Sequence, residues 1–116
     1  MKVVNLAEKL ALFATHRDPK VVAEYNGNDI MVVKVEGAFP FHDHPDTDGF
    51  FLVPEGEVLL DVEDRTHVLR PGEAFVVPTG VRHRPRAERE ATLKQIEPRG
   101  TPSTGDAATA AQKDRI

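Results

Sequence analysis

The chain has 116 residues, a net charge of −4 and no cysteine. That length allows one domain with a modest core, and the composition excludes disulfides and thiolate metal ligands. No apolar run approaches the ~20 residues of a membrane-spanning helix, and the N-terminal stretch lacks the apolar core and small-residue cleavage site of a secretory signal. No membrane partner is expected, and the expected location is cytoplasmic. Basic residues are scattered except in the run Arg82-His83-Arg84-Pro85-Arg86. It reads either as a solvated loop or as a basic rim drawing anions to a nearby site. Nucleic acid is not an expected partner, because the net charge is negative and aromatics are not interleaved with the basic residues.

Asn5 is placed to cap a short helix, with Glu8 reaching back in a capping box, and Leu6, Leu10 and Phe13 then share a face. From Lys20 onward the pattern is strands and turns. Val21, Val22 and Tyr25 lead into Asn26-Gly27-Asn28, a hairpin signal. Ile30 to Val35 follow, ending at Gly37. Further runs cover Phe39 to His44, Phe50 to Val53, Val58 to Val62, Thr66 to Leu69 and Ala74 to Val77, separated by Pro- and Gly-containing turns. Thr92 to Ile96 reads as a closing strand. Short strands punctuated in this way predict an all-β sandwich or barrel over residues 1–98. Residues 99–116, rich in small and charged residues, are expected to form a flexible C-terminal tail.

His42 and His44 stand two apart in a strand-like run, so both imidazoles can project from one face. Their surroundings make the pair specific. The segment Gly37 to Gly56, with His42-Asp43-His44 inside it, resembles the first motif of the cupin superfamily, which runs from a glycine through His-x-His and a glutamate to a second glycine. The segment Gly72 to His83, with Pro78 and Gly80 at the expected spacing, resembles the second motif. The family's asparagine after that histidine is Ala87 here. The resemblance is closest to small single-domain cupins of the mannose-6-phosphate-isomerase-like, RmlC-like type. It implies a double-stranded β-helix, a jelly-roll-like barrel, preceded here by the short N-terminal helix, with the metal motifs within residues 37–87. It also implies that His42, His44 and His83 are metal ligands. The cofactor is then a divalent transition metal, Fe, Zn, Ni or Mn, and a homodimer is the family expectation.

Position 49, where the family carries its glutamate ligand, is glycine. Asp48 is the candidate substitute ligand, although strand alternation points it away. Gly49, Phe51 and Arg82 are the expected pocket residues. Two readings follow. In one, a three-histidine centre supports dioxygenation or isomerisation of a small anionic molecule, with Arg82, Arg84 or Arg86 drawing the anion in. In the other, the barrel is a non-catalytic module that binds or senses a small ligand. His16 and His67 read as surface or satisfied histidines. Phe41, Phe51 and Phe75 read as core, with Phe51 the one expected to reach the pocket.

Overall fold

The computed structural model describes residues 2–110 and 112–116. It contains one short helix, α1 (Leu6–Leu10), and eight strands: β1 (Lys20–Tyr25), β2 (Asn28–Ala38), β3 (Gly49–Glu55), β4 (Val58–Val62), β5 (Arg65–Leu69), β6 (Ala74–Val77), β7 (His83–Pro98) and β8 (Asp114–Arg115). No helix among the described residues is long and apolar enough to cross a membrane. The Asn5 side chain accepts the Glu8 backbone N–H at 3.0 Å, satisfying one of the donors left open at a helix start. Among the described residues, no bond from the Glu8 side chain completes a capping box.

The long strand β7 organises the barrel. One edge pairs along β2, while the other is shared, its first part by β4 and its second by β3. β5 extends β4, β6 extends β3 and β1 extends β2. All these pairings are antiparallel, and they wrap the sheet around one interior. Val33, Val35, Phe51, Val53, Leu60 and Leu93 are buried there, drawn from β2, β3, β4 and β7. Removing these apolar surfaces from water is the main stabilising term. Gly56 has φ +82°, and a Cβ on it would stand 2.8 Å from Ala91 Cβ. Only glycine fits that turn against β7.

Two expectations are corrected. The run Phe39 to His44 is not a regular strand; it is extended chain with a single bridge pair, His42 to His83. Pro40 lies within it and Pro45 follows it, and neither can donate to a ladder. The closing strand is far longer than Thr92 to Ile96, because the basic run forms its first part. Near the chain end, β8 pairs in parallel with β1. Ile116 donates to the Val21 carbonyl at 3.0 Å, and the Lys20 ammonium bridges Asp18 and Asp114 at 2.9 and 3.1 Å. Edge hydrogen bonds and ion pairs hold a segment that has little apolar surface to bury.

Candidate metal centre

The histidines are brought together by backbone. His42 N–H donates to His83 O at 3.0 Å, and His83 N–H donates to His42 O at 2.9 Å. Gly80 N–H donates to His44 O at 2.9 Å, which fastens the turn before β7 to the histidine segment. The ring centroids are 4.5 Å apart for His42 and His83, 5.0 Å for His42 and His44, and 5.6 Å for His44 and His83. One ring nitrogen from each residue lies within 4.8 Å of the other two. The sequence therefore identified a true spatial cluster.

Two of the rings are oriented by the main chain. Nδ1 of His42 lies 2.8 Å from Pro40 O, and Nδ1 of His83 lies 2.8 Å from Val81 O. A carbonyl only accepts, so each Nδ1 carries the proton and each Nε2 keeps its lone pair. Carbonyl-anchored imidazoles are the usual arrangement behind a metal-ligating histidine. Burial lowers the pKa of His42 and of His83. His44 is lowered to about 4, first by burial and then by the charges of His42, His83 and Lys113. All three rings are thus neutral at ordinary pH, as ligation requires. Nδ1 of His44 and Nε2 of His83 are buried with no hydrogen-bond partner. An unpartnered buried nitrogen is costly, and for Nε2 of His83, whose Nδ1 is held by Val81, a coordinated ion is a partner that fits. The donor set suits a transition metal.

Gly49 opens β3 and is buried. Its inward direction is the one Phe51 uses two residues later. A Cβ at Gly49 would lie 3.2 Å from the Phe51 ring, and that ring packs edge-on against His83 at 5.7 Å. The aromatic ring therefore crowds the space where a carboxylate would enter. Asp48 does not replace it. Its Oδ1 accepts from both the N–H and the hydroxyl of Thr79, each at 2.8 Å. These bonds hold its carboxyl below the usual range and tie the start of β3 to the turn after β6, away from the imidazoles.

The basic rim is also corrected. In β7, Arg84 and Arg86 alternate with the buried His83 and Pro85, so they face outward. Both guanidinium groups bind Asp61, at 2.9 and 2.8 Å. Arg86 above all, helped by Thr66 and Arg84, holds the Asp61 carboxyl far below its ordinary range. Arg82 lies over the Phe41 ring at 4.6 Å, with Arg84 over the same ring at 4.3 Å. Phe41 is thus a platform for two cations rather than core. His67 packs against Phe75 at 4.6 Å. His16 sits near Glu36 and Glu90.

Three further residues near this end of the barrel were not singled out in the sequence. Asp29 and Glu97 face each other across β2 and β7, each 3% exposed. Burial raises the Glu97 carboxyl to about 7, with Lys113 opposing the shift and Asp29 adding to it. The alternation Leu93, Gln95, Glu97 carries a signal for an inward Glu97. Nothing local marks Lys113, because its position depends on the fold-back of the chain end.

Comparison with known proteins agrees with this architecture. Residues 29–97 match the family model described as Cupin domain. The structure of a cupin-2 domain containing protein from Shewanella frigidimarina superposes with a TM-score of 0.82 at 43% identity, covering 84% of this chain and 95% of that one. Protein NMB1881 from Neisseria meningitidis gives a TM-score of 0.76 at 32% identity, covering 83% and 98%. The uncharacterized protein YdbB of Bacillus subtilis is 36% identical over 67 residues, which are 57% of this chain and 59% of that protein.

Proposed function

The chain belongs to the cupin family, and from that premise we propose that it is a metal-dependent enzyme acting on a small anionic molecule. His42, His44 and His83 would hold one divalent transition metal, with Fe, Zn, Ni and Mn the candidates. The observation that carries this reading is the convergence of one ring nitrogen from each of His42, His44 and His83 within 4.8 Å of one another. When bound, the metal supplies Lewis-acid or redox chemistry. Three neutral ligands leave its double charge uncompensated, which favours an anionic or bidentate substrate. The Pro40 and Val81 carbonyls fix the rings of His42 and His83. Phe51 and the apolar interior keep water from one side of the site. Dioxygenation and isomerisation both fit such a centre. The test is metal analysis of protein purified without added metal, followed by incubation of Fe(II)-loaded protein with small acids and thiols under air. Bound transition metal and consumption of any of these compounds is the expected result.

A second reading is favoured by Phe51, which crowds the position of the missing carboxylate. In that reading the barrel binds a small ligand without turnover. A ligand that raises the melting temperature but is recovered unchanged would support it. We also retain the homodimer as a proposal, supported by Val3 and Leu12, which are 97% and 66% exposed on the N-terminal segment. A monomeric elution profile at high concentration would contradict it.

A further inference from the structure

The family's carboxylate is absent from position 49, yet a buried carboxyl stands on the neighbouring strand. Phe50 pairs with Ile96, and Phe51 with Gln95, between β3 and β7. One step further along the same register brings Gly49 opposite Glu97. On the other edge of β7, Glu97 pairs with Asp29 of β2. Gln95 and Glu97 are buried while Ile96 between them is half-buried, so both point to the interior with Phe51 and Gly49. Asp29, Glu97 and Gly49 thus form one row across the sheet, beside the row of Met31, Gln95 and Phe51. Directly opposed side chains start about 5 Å apart. Glycine leaves Glu97 without a side-chain neighbour on β3.

That row lies at the histidine end of the barrel. The Phe51 ring touches that of His83, and Pro98, the residue after Glu97, lines the same cavity of about 370 Å³ as His44. The Lys113 charge acts on His44 and on Glu97 alike, so the two groups flank one ammonium. Glu97 is 3% exposed, and its Oε2 is buried with no hydrogen-bond partner. Its charged neighbours are engaged elsewhere. Asp29 is held by Arg115 at 3.2 Å, and Lys113 donates to the Thr101 carbonyl oxygen. β3 offers no titratable group, since Gly49 stands opposite. An unsatisfied buried acid is costly, and it calls for a partner that arrives from outside the chain. Burial keeps Glu97 largely protonated below neutrality, so it can donate. It does not join the ring nitrogens that lie within 4.8 Å of one another, which makes it a partner for a bound molecule rather than a fourth ligand.

We propose that Glu97 is the acid of the histidine centre: its carboxyl, presented by β7 opposite Gly49, donates a hydrogen bond to the small anion that His42, His44 and His83 would hold through their metal. This rests on the metal-dependent reading above and deepens it by naming the group that recognises the anion. The protonated carboxyl attracts an anionic oxygen, and the ionised carboxylate repels it. Glu97 is therefore a specificity residue, and anion binding is tied to the proton it carries.

The test uses the full chain with carbon-13 in its glutamate carboxyls, loaded with paramagnetic Co(II) or diamagnetic Zn(II). The Glu97 signal, identified by its absence from Glu97→Gln, is expected to shift or broaden in the Co(II) protein relative to the Zn(II) protein. An unmoved Glu97 signal overturns the proposal, because the carboxyl is then remote from the metal. Acetate is next titrated into Co(II)-loaded wild type and Glu97→Gln at pH 6 and pH 8, followed by the cobalt visible spectrum. The glutamine amide still donates but cannot ionise. Between the two pH values the wild type is expected to lose at least about tenfold more acetate affinity than Glu97→Gln, the effect of one carboxyl titrating near 7. Hydroxide formed at the metal affects both proteins and cancels in that comparison. Equal pH dependence in the two proteins overturns the proposal. Failure to bind Co(II) at all overturns the metal reading itself, and the cobalt spectrum distinguishes the two failures before any acetate is added.

Discussion

The ring of Phe51 stands 3.2 Å from the point where a side chain on Gly49 would begin. The two residues share the inward face of β3, and the same ring touches His83. The loss of the family's glutamate is therefore not a simple vacancy, because an aromatic side chain leans into the space. Gly49→Glu alone must push that ring aside, and overpacking of this kind costs about 1–3 kcal/mol. It is expected to lower the melting temperature and to improve metal affinity little. Combining it with Phe51→Leu makes room, and the double variant should bind Zn(II) more tightly than either single one. Calorimetric titration of the four proteins measures the coupling. Additive effects would mean that the two side chains do not compete for one space.

Asp61 is the anchor of the outward face of β4 and β7. It is 6% exposed and neutralises two guanidinium groups while accepting from Thr66 at 2.6 Å. Asp61→Asn leaves both arginines without their counter-charge. Its expected cost is roughly 2 kcal/mol, below the usual penalty for breaking a fully buried pair because the arginines are partly solvated. A depressed folded-state pKa gives stability that is present above the ordinary carboxylate range and lost as pH falls through the folded value. Thermal unfolding from pH 5 downward should therefore fall less steeply in Asp61→Asn than in the wild type. An identical slope would show that the ion pairs contribute nothing to acid stability.

Glu97 titrates in the opposite sense. Its folded-state carboxyl is raised from 4.5 to about 7, so it holds its proton more tightly folded than unfolded. The stability it contributes is full below about pH 4.5 and is lost as pH rises through about 7. Glu97→Gln is expected to remove this decline, on the order of 2 kcal/mol. Denaturant unfolding of both proteins at pH 5 and pH 8 checks it. The buried histidines work against Glu97 in the acid range. Their lowered values favour the folded state above the ordinary 6.5 and weaken it as pH falls toward the value of about 4 reached by His44.

Much of this was legible in the sequence because the informative residues act locally. The glycine and proline spacing around His42, His44 and His83 placed the cluster, and alternation in strands pointed Asp48 away from it. Alternation would also have turned Arg84 and Arg86 outward once His83 was placed inward, but it could not supply Asp61, which meets them only across β4 and β7. The Phe51 ring in the space above Gly49 is a packing outcome invisible to spacing. The pairing of Asp114 and Arg115 with β1 is not marked in the sequence. It depends on the open edge of β1 and on ion pairs such as Lys20 with Asp114, 94 positions apart, and no composition rule anticipates such partners.

The central claim is that three neutral imidazoles from two distant segments hold one ion. The direct measurement is elemental analysis and metal titration of the wild type beside His83→Ala, using protein purified without added metal. The wild type should carry or take up about one transition-metal ion per chain, and His83→Ala should lose most of it while remaining folded. A wild type that contains no transition metal and binds none of Fe(II), Ni(II) or Zn(II), or a His83→Ala variant that binds as well as the wild type, would contradict the account.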